Sequence, residues 1–70
     1  MTIRERFAKY TTEEIENGIA SLKEKIADDV KFMEKCKAER DVEFYRVAKE
    51  MYERHTDMLM DAEAALIGRR

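Results

Sequence analysis

Histidine is the residue type whose ordinary titration falls near neutrality, and this sequence holds a single one, His55. Proton transfer there would need a carboxylate beside the ring. The nearest acids along the chain, Glu53 and Asp57, stand two residues away, on other sides of a helix. The expectation is therefore a core or boundary histidine that fixes register, bonded to Tyr52, to a carbonyl or to a group on a partner helix. Soft metal ligands also gather by spacing. Met51, His55 and Met58 fall at i, i+4 and i+7, with Met33 and Cys36 on the preceding segment, a set of the kind copper(I) accepts. Methionine at helical spacing more often fills gaps in a core, and Tyr52 stands where the Glu-x-x-His pair of di-iron bundles needs its carboxylate. The spacing favours no metal and no other cofactor. Asp28-Asp29 and Asp57/Asp61 read as solvated acidic pairs, and the sequence holds no glycine-rich phosphate loop and no nucleophile triad. Catalysis is not expected.

Whatever these residues do, a small chain must position them. Seventy residues carry 14 Lys and Arg against 16 Asp and Glu, too even a balance for electrostatic capture of nucleic acid or membrane. No apolar run is long enough to cross a bilayer, and the first six residues lack the apolar stretch of a secretory leader, so a soluble, cytoplasmic chain is expected. One cysteine excludes an internal disulfide. With no Pro and two Gly, the chain lacks the turn chemistry of an all-β fold. It reads as all-α.

The spacing divides the chain into an arm at 1–10, helix A at 11–37, a turn at 38–41, helix B at 42–67 and a tail at 68–70. In the arm, Ile3, Phe7 and Tyr10 share a face, and Thr2 and Glu5 stand in capping-box register. Thr11 and Glu14 repeat that signature at the start of helix A, whose stripe is Ile15, Ile19, Leu22, Ile26, Val30 and Met33. Gly18 interrupts the propensity of this helix at a cost of ~1 kcal/mol, a reason to expect another backbone or an aromatic ring close to it. From Glu34 to Asp41 no large aliphatic residue occurs, and Asp41 is a plausible N-cap for the second helix. Helix B carries three heptad rows: Phe44, Met51, Met58 and Ala65; Tyr45, Tyr52, Leu59 and Leu66; and Ala48, His55 and Ala62. Gly68 occupies the place of a C-cap glycine, and Arg69-Arg70 complement the helix dipole. Together these features predict a short N-terminal helix followed by an antiparallel αα-hairpin, dimerising through the two striped faces into a four-helix bundle. A single continuous helix from 12 to 67 is the rival, because the 11-residue step from Met33 to Phe44 keeps the stripe in phase.

A hairpin would bring residues 11–24 and 55–66 together with a net charge of −6, while the first ten residues sum to +2 and should be drawn towards that acidic end. Phe32, Val47, Met60 and Ile67 fall beside or outside the main stripe and are candidates for contact with a partner. Three function classes follow, the last of them a metal-handling bundle built on the Met51, His55 and Met58 set. The first is a non-enzymatic protein-binding module, homodimeric, of the kind expected of a small bacterial or phage regulator or inhibitor that occludes a protein target. For the second, a dimer of such hairpins resembles in architecture the plasmid RNA-binding bundle of the Rop type. That resemblance implies an RNA-binding alternative and carries over no motif. Against nucleic acid stands the interleaving of Lys31, Lys35, Lys37, Arg40, Arg46 and Lys49 with Glu34, Glu39, Asp41 and Glu43, which leaves no clean phosphate-tracking stripe.

Overall fold

Why the chain breaks into three helices is visible in how their ends are capped. The computed structural model describes residues 2–69; Met1 of the arm and Arg70 of the tail lie outside the described residues. Thr2 Oγ1 accepts from the Glu5 backbone N–H at 3.1 Å and opens α1, Ile3–Phe7. A reciprocal capping box starts α2, Thr12–Ala38: Glu14 N–H donates to Thr11 Oγ1 at 3.1 Å, and Thr11 N–H donates to Glu14 Oε1 at 3.0 Å. The Thr11 backbone N–H donated to the carboxylate, and next to it the Thr11 hydroxyl, hold the Glu14 carboxyl below the usual carboxylate range. Helix α2 runs without a break through Gly18.

The connection to α3, Val42–Ile67, is three residues long, so Ala38 belongs to the helix and not to the turn. Arg40 takes a left-handed conformation, φ 57°, and lets the chain reverse. Asp41 N–H then donates to Cys36 C=O at 2.8 Å and Arg40 N–H to Lys37 C=O at 3.2 Å, the paired bonds of a Schellman ending. Asp41 serves both helices, because its carboxylate also accepts from Phe44 N–H at 3.2 Å as the N-cap of α3. At the other end of α3, Gly68 sits at φ −63°, an ordinary helical value, so the expected left-handed glycine cap does not form and the residue's extra freedom goes unused.

Helices α2 and α3 pack antiparallel, and the whole measures 44 × 22 × 15 Å. A helix from 12 to 67 would be about 84 Å long at 1.5 Å per residue, so the continuous rod is excluded. The seam follows a stricter rule than the sequence stripe. On α2 the least exposed residues are Ile15, Ile19, Leu22, Ile26, Asp29, Met33 and Cys36, in alternating steps of four and three. On α3 the matching row is Tyr45, Ala48, Tyr52, His55, Leu59, Ala62 and Leu66, again in steps of three and four, with Thr56, Asp61 and Ala65 covered beside it. An unbroken heptad keeps one side of each helix against the other, whereas a 4-4 step drifts off the contact. Asp29 therefore takes the place assigned to Val30, and Val30 is exposed. Phe44, Met51 and Met58 also lie outside this seam within the chain and are 45–58% exposed. Ile15, Ile19 and Ala62 form the tightest cluster, with Phe7 of α1, Leu59 and Leu66 packed on it.

Candidate functional site

The seam contains one polar contact between helices. His55 Nδ1 lies 2.5 Å from Asp29 Oδ2, with the two side chains 18% and 11% exposed. This corrects the reading of Asp28-Asp29 as a solvated pair: Asp28 is exposed, but Asp29 faces inward because the heptad phase carries it there. It also supplies the carboxylate that Glu53 and Asp57 could not. The partner comes from 26 residues away, so only a hairpin register would have revealed it. The bond engages Nδ1 and leaves Nε2 as the second ring nitrogen. Dyads of this kind orient a histidine for catalysis or for a metal. Here no side chain among the described residues hydrogen-bonds to Nε2, and no group of three or more His, Cys, Asp or Glu among them could hold a metal ion. The pair joins α2 to α3 across the seam, and a shift by one turn would strand both groups among apolar side chains.

Cys36 is buried near the turn, where burial and the nearby Asp41 and Glu39 carboxylates push its thiol up. A raised thiol is a poor nucleophile and a poor metal ligand. Thr56 turns its hydroxyl back to the Tyr52 carbonyl at 2.8 Å.

At the open end, α1 lies against α3. Arg6 pairs with Asp61 at 3.2 Å, the direction expected for a cationic arm beside an acidic end. Both partners are substantially exposed, so this pair contributes under about 1 kcal/mol. Sequence reasoning missed a second clamp. Arg69 Nη2 donates to the carbonyls of Phe7 at 2.7 Å and Tyr10 at 2.6 Å, and Nη1 reaches Thr12 Oγ1 at 3.3 Å, so the tail ties the α1–α2 connection to the end of α3. The signal for it was faint: an arginine in a tail reads as a dipole partner until its neighbours are known. Between α1 and the hairpin remains a cavity of about 680 Å³, lined by Phe7, Tyr10, Gly18, Leu22 and Met58 among others. A Cβ on Gly18 would meet nothing within 4 Å, so no backbone or ring within this chain closes on it.

Beyond α1 the same side of the molecule is bare. Phe32 is 44% exposed and stands two heptads after Gly18 on α2, while Val47, Met51 and Met58 on α3 keep helical phase with Asp61 and Ala65. Met60 and Ile67, exposed as well, are in phase with each other but project nearly opposite to Met58. The four contact candidates therefore fall on two sides, Phe32 and Val47 with α1, Met60 and Ile67 away from it. No helix among the described residues is long and apolar enough to cross a membrane. Comparison with family models, with curated proteins and with solved structures finds no match to this chain.

Proposed function

We propose that this chain is a non-enzymatic helical interaction module, which associates with a second copy to form a four-helix bundle and acts by occluding the surface of a protein target. One observation carries the reading. Ten large apolar side chains among the described residues are more than a third exposed, among them Phe32, Phe44, Val47, Met51, Met60 and Ile67, whereas the buried set is Ile15, Ile19, Cys36, Ala48, Ala62 and Ala65. A stable monomer of this size needs the reverse ratio, because a 70-residue core barely offsets the entropy of ordering the chain. Contiguous exposed apolar surface rimmed by charge is what interaction sites look like. Two sides of exposed apolar residues leave room for both contacts, one for self-association and one for the target.

Phe32→Asp tests this directly. The substitution falls on an exposed position and should leave helicity by circular dichroism intact while abolishing the oligomer by light scattering or the capture of a protein partner. Unchanged mass together with unchanged partner capture would overturn the proposal.

A further inference from the structure

Helix α1 is wound without the means to hold itself. Its five residues fall far below the roughly 12–15 that an isolated helix needs, and none of them is buried. Its continuation is also cut off. The Thr11 N–H that would bond the Phe7 carbonyl goes instead to Glu14 Oε1, in the capping box of α2. The Phe7 carbonyl accepts from Tyr10 N–H at 3.0 Å and from Arg69 Nη2 at 2.7 Å, a donor 62 residues away. The same guanidinium reaches the Tyr10 carbonyl and Thr12 Oγ1, so one side chain joins the end of α1, the connection and the start of α2. Arg69 is itself aimed by the last turn of α3, where Gly68 N–H bonds the Ala64 carbonyl at 3.0 Å and Arg69 N–H bonds the Leu66 carbonyl at 3.1 Å.

We infer that α1 is a hinged lid, latched by Arg69, which opens and recloses while the α2–α3 hairpin stays folded. Its seat is loose. Phe7 packs on the Ile15–Ile19–Ala62 cluster and half-buried Ile3 shares a cleft with Ala64 and Ala65, but a cavity of about 680 Å³ remains between the arm and the hairpin. The polar ties, Arg6 to Asp61 and the three bonds of Arg69, are all exposed. The hinge is the connection at residues 8–11. None of these contacts joins α2 to α3, whose seam runs on to Cys36 and includes the Asp29–His55 bond. Opening α1 therefore leaves the seam intact. Closed, the lid covers Ala65, which is 7% exposed and lies beside the row that meets α2. Open, it adds that ground to the apolar surface the chain presents. The latch holds only while the last turn of α3 is wound, so fraying there releases the arm. This motion belongs to a single chain and does not depend on the association proposed above.

Thiols beneath the lid read its opening. In a Cys36→Ser background, Ala65→Cys places a thiol under α1, and Ala48→Cys places one in the seam between α2 and α3, where Ala48 is 2% exposed. Ala65→Cys should react with N-ethylmaleimide on the order of 100-fold faster than Ala48→Cys, at a rate that low urea leaves unchanged, since a local opening exposes little new surface. Adding Arg69→Ala should speed the reaction at 65 about 10-fold and leave that at 48 unchanged. Arg6→Ala should speed it only about 2-fold, because an exposed ion pair contributes little. Equal rates at 65 and 48 would mean that α1 leaves only when the whole chain unfolds, and would overturn the lid. Arg69→Ala without effect at 65, or with the same effect at both sites, overturns the latch. Hydrogen exchange of the unsubstituted chain repeats the test without replacing a buried residue. The Arg6 and Tyr10 amides, bonded to the Thr2 and Phe7 carbonyls, should exchange at rates indifferent to low urea, whereas exchange at Ile19 should quicken with it. Arg6 and Tyr10 amides that follow Ile19 overturn the lid.

Discussion

The two ends of the hairpin are built from the same two helices and the same heptad, yet they solve different problems. At the open end the seam holds Ile15, Ile19, Leu59 and Leu66, and a third element, α1, closes over it with Phe7 and is tied down by Arg69. Towards the turn the fully buried seam residues are Cys36 and Ala48, and the large side chains Phe32, Phe44 and Val47 are displaced to the flanks, where they are 44–58% exposed. Two helices alone make a single line of contact, so a large side chain is buried only where a third layer lies over it. The open end has that layer within the chain. The turn end lacks it, which makes it the end where another molecule would contribute most.

Equal cuts at the two ends expose this contrast most strongly. Ile19→Ala removes a side chain from the closed cluster and should cost about 2–4 kcal/mol in urea unfolding of the dilute protein. Phe44→Ala takes away a larger side chain from the bare flank and should cost under about 1 kcal/mol in the same dilute sample, since little of it leaves water on folding. Similar losses at both positions would show that the turn end is as closed as the open one.

Next in size comes the pair that joins the two ends in register. Asp29→Ala leaves His55 in the seam without its partner and should cost about 1–3 kcal/mol, whereas Asp29→Leu combined with His55→Leu should recover most of the loss, because no polar group is then left unsatisfied. A double-mutant cycle measures the coupling, and strictly additive effects would show that the two side chains act independently.

The pair also marks where the sequence stops being readable. Capping residues are local, so Thr2, Thr11 and Asp41 announce the helix starts within a residue, and the hairpin follows from two stripes of matching length. The inward turn of Asp29 is not local. Read alone, an Asp-Asp-Val run nominates the valine for the core, and only the phase of the whole heptad against α3 decides for the aspartate. Helix endings are deceptive in the same way. The glycine at 68 signals a left-handed cap and does not make one, while the left-handed residue is Arg40, a side chain with no such signal. Exchanging the chemistry of these two ends should stabilise both. Arg40→Gly relieves the strained conformation and should raise stability by about 1 kcal/mol. Gly68→Ala should add roughly 0.5 kcal/mol by restricting the unfolded chain, since its new methyl would meet the Ala64 and Ala65 carbonyls at ordinary contact, 3.5 and 3.6 Å. Thermal melts of the two variants would detect both changes, and a fall in melting temperature for Arg40→Gly would mean that the arginine side chain contributes more than its backbone costs.

The smallest expected effect concerns the start of α2, at the closed end, and it depends on pH. Glu14 accepts the Thr11 backbone N–H and sits in the first turn, and both its bonds to Thr11 favour the charged carboxyl. Because its folded pKa lies below the unfolded one, its contribution is fully present above the ordinary carboxylate range and is lost as the pH falls through the depressed folded value. Glu14→Gln can still accept the same hydrogen bond but carries no charge to respond to pH or to the helix dipole. The melting temperatures of the native chain and the variant should therefore differ slightly at neutral pH and converge in acid. Since the capping box belongs to the end already covered by α1, this convergence should appear equally in dilute and concentrated protein. A gap that changes with concentration would place the start of α2 in the contact between copies and dissolve the distinction between the two ends.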